Sequence, residues 1–329
     1  MSIRRFLIGI ILLIIALFLG LPYFSNMFSP VQIKKQQTLV KLYIHDQNKI
    51  VNITLDDYVM GVVAAEMPAS FPLETLKAQA VVARTYILKR LNSGGLLNPP
   101  HAGADICDDH RHGQAWISKE EMKKRWGSLS YYYYYNKIAQ AVKDTRGFVI
   151  VYKGSLIDPV YHSSCGGKGT ESAEEVWRFG EPYLVGVSCP YCSDPRPVQN
   201  SFLSVTKVSS LLSLNSGALP ATGKLDGSTR SAVPLMKVIR YTHSGRPKEI
   251  KIGDNIYSAV TVRDLLNLRS ADFTMELVNG EVEVTTRGYG HAVGMCQYGA
   301  KGFADHGYSF GKIIKRYYKG VDVVKLPER

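Results

Sequence analysis

Residues Phe6 to Leu21 form a run of 16 with no charged and no polar side chain, and Arg4 and Arg5 stand directly before it. A membrane span takes roughly 17–25 apolar residues, so with Pro22, Tyr23 and Phe24 the run is just long enough. A cleavable signal peptide would have a shorter apolar core, about 7–15 residues, ending in small residues at an A-x-A-like site. Leu17-Phe18-Leu19-Gly20-Leu21-Pro22 offers no such site. Residues 1–24 therefore read as an N-terminal transmembrane signal anchor. Basic flanks stay in the cytoplasm. The expectation is a single-pass protein of the cell membrane, with everything after Phe24 on the extracytoplasmic side.

That placement directs the reading of charge. The chain carries a formal net charge of +12, and setting aside the two anchor arginines leaves +10. Outside the cytoplasm a basic protein meets wall glycans, teichoic acids and anionic headgroups rather than nucleic acid. Five cysteines allow at most two disulfides and one free thiol. Cys189-Pro-Tyr-Cys192 has the C-x-x-C spacing, but no second C-x-x-C completes a four-cysteine zinc site. A disulfide within that motif, or from one of its cysteines to Cys165, is the expectation.

Residues 25–37 are polar with one proline and read as a linker; an extracytoplasmic catalytic domain follows over 38–329. Val40, Leu42 and Ile44 alternate as a strand does, with a turn at Asp46-Gln47-Asn48 and a second strand to Ile53. Thr54-Leu55-Asp56-Asp57 signals a helix start. That helix must end near Glu66, because Pro68 disfavours helical geometry at Met67. A second helix runs from Pro72 to about Asn92, and a third from Ser128 to Arg146, closed by Gly147. A hairpin turns at Lys153-Gly154, and strands near 273–278 and 281–286 meet at Asn279-Gly280. Helices and strands mix without a βαβ rhythm. The class is α+β, with mixed or antiparallel sheets and packed helices forming two lobes around a cleft, plus the transmembrane helix.

Glu66 is the sharpest chemical feature. Val59, Val62, Val63 and Glu66 fall at i, i+3, i+4 and i+7, which puts the carboxylate on the apolar stripe. It also sits at a helix C-terminus, where the macrodipole disfavours negative charge. Both effects raise its pKa, as a general acid requires. A surface glutamate turned to water fits the pattern equally well. Lys77 and Arg84, seven apart on the next helix, could flank it. Ordinary glycosidases need two carboxylates. A lytic transglycosylase needs one, because the sugar's own 6-hydroxyl attacks with high effective molarity.

Other clusters compete. His162-Ser163-Ser164-Cys165-Gly166-Gly167 holds possible nucleophiles, but there is no G-x-S-x-G elbow. His101, Cys107, His110 and His112 have zinc-site composition, yet position 113 is glycine and no fourth ligand stands beside His112. Gly288, Gly290 and Gly294 lack dinucleotide spacing, and allow close backbone approach instead. No metal or other cofactor is expected. Tyr131 to Tyr135 divide between core and sugar stacking.

Glu66-Met67-Pro68-Ala69-Ser70-Phe71-Pro72, Leu76-Lys77-Ala78-Gln79-Ala80 and Ala83-Arg84-Thr85-Tyr86 resemble the signature of the stage II sporulation protein D family. His162 to Gly167, and Gly288-Tyr289-Gly290-His291 through Gly294-Met295-Cys296-Gln297-Tyr298-Gly299-Ala300, resemble its later motifs. The resemblance implies a peptidoglycan lytic transglycosylase, acting in forespore engulfment from the mother-cell engulfing membrane. Its substrate would be glycan strands stripped of stem peptides. Its implied partners are the amidase stage II sporulation protein P and the membrane scaffold stage II sporulation protein M. Glu66 matches the family's catalytic glutamate. Lys77, Arg84, His162, Arg287, His291, Gln297 and Tyr298 carry over as substrate-binding residues. Some relatives hold zinc in the loop after the second helix, where this chain has His101, Cys107 and His112 but Gly113 in place of a cysteine. Related domains also resemble amidase enhancers, which bind wall without cutting; that is the alternative reading.

Overall fold

In the computed structural model, which describes residues 38–94, 101, 103–177, 179–214 and 233–327, the alternation at Val40, Leu42 and Ile44 becomes strand β1 (Leu39–Ile44) with those three side chains buried. A 3₁₀ turn returns the chain into β2 (Lys49–Thr54), antiparallel to β1. Thr54 then caps helix α1 (Leu55–Glu66), its hydroxyl accepting from Asp57 N–H. The helix stops where Pro68 demands, with Met67 extended at φ −131 and ψ 139.

Pro72 leads into α2 (Leu73–Asn92). Sequence periodicity suggests one buried stripe, but Thr75, Ala78, Gln79, Val81, Val82, Arg84 and Thr85 are buried as well. The helix is therefore enclosed nearly all round, as a central helix is. Short β3 (Ile106–Cys107) adds parallel to β1. Helix α3 (Lys119–Asp144) starts earlier than the sequence suggests, at a Ser118–Glu121 capping box. Gly127, at φ 70, breaks it into two segments, and the second is the one expected from Ser128.

β4 (Phe148–Tyr152) and β5 (Ser155–Leu156) form the expected hairpin. β6 (Tyr161–His162) leaves it to pair elsewhere, and α4 (Ala173–Trp177) follows. A second core is built from β7 (Val198–Ser204), α5 (Val205–Leu211), β8 (Val233–Pro234), β9 (Met236–Tyr241), β10 (Pro247–Ile252), β11 (Asn255–Ser258), α6 (Ala259–Leu265), β12 (Phe273–Val278) and β13 (Glu281–Arg287). Its sheets run β11-β10-β9 and β7-β13-β12-β8, all antiparallel. The chain then rejoins the first core through β14 (Met295–Cys296), α7 (Gln297–Asp305), α8 (Phe310–Tyr317) and β15 (Asp322–Lys325). β14 pairs parallel with β6, and β15 antiparallel with β4.

The architecture is α+β with several small sheets. Its two hydrophobic cores lie within one compact unit. A buried pair joins them: Arg246 Nη1 reaches Glu171 at 3.0 Å, while its Nη2 donates to the carbonyls of Cys165 and Gly169. The anchor expected at 1–24 and the linker expected at 25–37 lie outside the described residues. Among those described, no helix is long and apolar enough to cross a membrane.

Candidate active site around Glu66

Glu66 ends α1 with its carboxyl turned inward. Oε1 accepts the Ala115 backbone N–H at 2.8 Å, and the Tyr161 hydroxyl also hydrogen-bonds to the group. Gln114 Nε2 donates to Tyr161 Oη at 3.1 Å, and Tyr58 Oη donates to Gln114 Oε1 at 3.2 Å. Burial pushes the Glu66 carboxyl above its ordinary 4.5, while the Ala115 amide, the Tyr161 hydroxyl and His110 pull the other way. Burial likewise raises both phenols well above 10, so they stay neutral. Among the described residues no carboxylate hydrogen-bonds to Glu66. Arg125 Nη1 caps the α1 carbonyls of Ala64 and Ala65, offsetting the negative helix end beside the acid.

Ala115 is placed by its neighbours. Trp116 lies flat against Gly61, where an added Cβ would stand 2.0 Å from the indole nitrogen. Ile117 N–H bonds the Gly61 carbonyl at 3.3 Å. Tyr161, Gln114, Tyr58 and the Ala115 amide were not singled out by sequence reasoning. Tyr161 and the Gln114–Ala115 loop come from two distant segments and Tyr58 from α1 itself, and no local pattern announces the network.

Tyr161 is delivered by β6. Successive strand residues face opposite ways, so Tyr161 meets Glu66 while His162 turns to Val293, its Nδ1 lying 3.0 Å from that carbonyl. The glycines of the later motif bring the 288–295 segment against 160–166. A Cβ at Gly294 would fall 2.0 Å from the Val160 carbonyl, and one at Gly290 would fall 2.7 Å from His162 Cβ. Close backbone approach is thus to another element of the chain.

The sequence-derived binding residues divide accordingly. His291 packs beside His162, with ring centroids 5.7 Å apart, and hydrogen-bonds the Tyr161 backbone. Burial lowers His291 to about 4 and His162 to about 3, so both are neutral. Tyr298 stacks edge-on to Phe71 in the loop that follows Glu66, at 5.2 Å. Gln297 is buried and reaches Gln79 on α2 at 3.4 Å. Arg287 is exposed at the end of β13.

Lys77 and Arg84 do not flank Glu66. Lys77 is held by Glu74 at 3.0 Å and Asp144 at 3.1 Å. Arg84, 1% exposed, donates to the carbonyls of Thr145, Phe148 and Val142, closing the C-terminus of α3. A cation there satisfies orphan carbonyls and complements the helix dipole. At Arg84 the face bordering the α2 stripe is itself buried, against the end of α3, while Lys77 is drawn to its two carboxylates.

The metal expectation changes too. His45, at the end of β1, joins His101, Cys107 and His112, with ligand atoms within 4.8 Å of one another. The fourth donor comes from 56 residues before His101, not from position 113, where a Cβ would strike Ile106 Cδ1 at 2.7 Å. Both ring nitrogens of His101 are buried without a hydrogen-bond partner among the described residues, which suits a metal ligand. This His₃Cys set fits a zinc-class ion. Nor do the cysteines pair: all five are free thiols, and Cys165, Cys189, Cys192 and Cys296 gather in one cluster.

A partly open cavity of about 210 Å³ lies where the two cores meet, lined by Glu175, Trp177, Arg246, Arg263 and His291 among others. Glu66 is not in its lining.

A sequence model of the family described as Stage II sporulation protein matches residues 43–152. The chain is 36% identical over 292 residues to Stage II sporulation protein D of Bacillus amyloliquefaciens, covering 88% of this chain and 80% of that one. It is 35% identical, with the same coverage, to Stage II sporulation protein D of Bacillus subtilis strain 168. It is 29% identical to the Amidase enhancer of Bacillus subtilis strain 168, over 79% of this chain and 39% of that one.

Proposed function

The chain belongs to the stage II sporulation protein D family, and from that premise we propose that it is a peptidoglycan lytic transglycosylase with Glu66 as its single general acid and base. One observation carries the reading: a carboxyl kept protonatable by burial, oriented through Oε1 by the Ala115 amide, with neutral hydrogen-bond partners and, among the described residues, no second carboxylate bonded to it. Protonated Glu66 gives its proton to the glycosidic oxygen as the bond from that oxygen to C1 breaks. The resulting carboxylate then takes the proton of the sugar's own 6-hydroxyl as that oxygen bonds C1, closing the 1,6-anhydro ring. The proton returns to Glu66, so acid and base are one residue. The Ala115 N–H and Tyr161 O–H stabilise the carboxylate between the two transfers.

His45, His101, Cys107 and His112 would hold a zinc ion, which when bound supplies a cross-link between β1 and the loop. That loop runs on to Gln114 and Ala115, so its fixation orients Glu66.

The substrate in this reading is glycan stripped of stem peptides, during engulfment in sporulation. The domain acts outside the membrane beside the amidase stage II sporulation protein P and the scaffold stage II sporulation protein M. Family membership and the basic charge support this setting. The test is digestion of peptide-free glycan by the full chain, with mass analysis of the ends. Anhydro ends that vanish in Glu66→Gln are the expected result; reducing ends would mean hydrolysis. No cleavage by the wild type, with stimulation of an added amidase, would favour a wall-binding enhancer role.

A further inference from the structure

We propose that Cys165, Cys189, Cys192 and Cys296 together bind one tetrahedral, thiolate-preferring divalent ion of the zinc class, as a closed structural site behind the strand that carries Tyr161. The assignment is independent of the strand-cleaving reading above.

The four sulfurs lie within 4.8 Å of one another. Cys192 Sγ and Cys296 Sγ are 3.7 Å apart. Four thiolates at about 2.3 Å from a central zinc stand about 3.8 Å from each other, the edge of the tetrahedron. A disulfide would need about 2.05 Å, and all four cysteines are free. A cage this tight suits one ion rather than a multi-iron cluster. Four protein ligands leave no open position, which marks a structural rather than a catalytic site.

The surroundings are built for sulfur. Cys165 N–H and Gly299 N–H each donate to Cys296 Sγ at 3.3 Å, and Ser164 Oγ lies 3.8 Å from Cys192 Sγ. Such donors orient thiolate ligands and temper their charge. Gly299 is required by space: a Cβ there would stand 2.1 Å from Cys189 Sγ. Cys165, Cys189 and Cys296 are buried in the first core, and Cys192 is half-buried at its edge.

The ligands arrive from three separate segments: the turn after β6, the C-x-x-C loop, and the N-cap of α7. An ion held by all of them would clamp the β6–β14 pair, in which Met295 stands opposite Tyr161 and Cys296 opposite His162. Each thiol gives its proton to solvent as it ligates. The site thereby fixes the position of Tyr161 against Glu66 from behind.

The test uses the full chain in detergent, purified without chelator, with metal analysis and thiol counting. Cys107→Ser with His112→Ala removes the histidine-rich set from the count. This variant is expected to retain one zinc per chain. After chelation and denaturation without reductant, its four remaining cysteines should all react as thiols. Replacement of zinc by cobalt(II) should give strong sulfur-to-cobalt charge-transfer absorption. Cys192→His keeps a ligand and should keep the ion with a weaker band, while Cys192→Ser with Cys296→Ser should lose it. Fewer than four reactive thiols in the denatured variant would mean disulfides and overturn the site. So would zinc absent from that variant while it remains folded by circular dichroism.

Discussion

The Ala115 backbone N–H donates to Glu66 Oε1 at 2.8 Å, so the acid at the end of α1 is aimed by a loop residue 49 positions further along the chain. Burial nevertheless keeps the Glu66 pKa above 4.5. Desolvation of the ionised form outweighs the hydrogen bonds that favour it.

Glu66→Gln separates catalysis from stability. Cleavage should fall by about 10²-fold to 10⁴-fold, the usual loss for a general acid. Stability should move the other way. A carboxyl whose folded pKa is raised contributes stability that is fully present below its unfolded value near 4.5 and lost as pH rises through the folded value. The amide carries no such loss. Urea melts at pH 4 and pH 8 should show the variant gaining on the wild type as pH rises. A variant that loses ground to the wild type as pH rises would contradict the burial argument.

Gly61→Ala tests how the loop holds its amide in place. The new methyl would meet Trp116 Nε1 at 2.0 Å, and the helix backbone cannot yield by that much. Trp116 must move, and Ala115 precedes it. Overpacking of this kind costs about 1–3 kcal/mol. Glycan cleavage should fall by at least about tenfold, since Glu66 loses its orienting donor. Thermal melting and initial rates on peptide-free glycan measure the two effects. A destabilised variant with unchanged kcat would show that the Ala115 bond is dispensable.

Arg84→Lys distinguishes a helix clamp from a substrate ligand. The guanidinium fork reaches three carbonyls that one ammonium cannot serve. Each lost bond from a charged donor is worth about 1.5–3 kcal/mol, so the loss should be at least about 2 kcal/mol. The rate per folded molecule should be unchanged, as read by kcat corrected for the folded fraction. A raised KM at full stability would return Arg84 to the substrate.

These sites show where sequence was informative. The alternation at Val40, Leu42 and Ile44, the Thr54 cap and the Pro68 stop are local physics, and each element stands where it predicts. Glu66 was legible for the same reason, as an acid on an apolar helix face. Its partners were not, because Tyr161 and Ala115 reach it through strand pairing and loop packing rather than spacing. Arg84 misled because a one-stripe pattern assumes an amphipathic helix, and α2 is enclosed. The metal-type clusters were half visible. C-x-x-C and the 101–112 loop stand out, but His45, Cys165 and Cys296 join them only through β1, β6 and β14.

His291 ties the later motif to the acid and should contribute to the loss of stability at low pH. Its Nδ1 accepts the Val293 N–H at 3.1 Å, so the other nitrogen carries the proton and faces the Tyr161 backbone. A second proton would cost the first bond, and burial pushes the ring down to about 4 from 6.5. The unfolded chain binds that proton first. Stability from this residue is therefore fully present above about 6.5 and lost as pH falls toward about 4. The span corresponds to at most about 3 kcal/mol, less where solvent screens the half-buried ring. His291→Gln should flatten the pH dependence of urea stability across that window. Because the glutamine cannot reproduce the imidazole's two opposed bonds, its cleavage rate should also fall at pH 7, through Tyr161. An unaltered stability slope with an unaltered rate would mean that His291 neither stays neutral nor positions Tyr161.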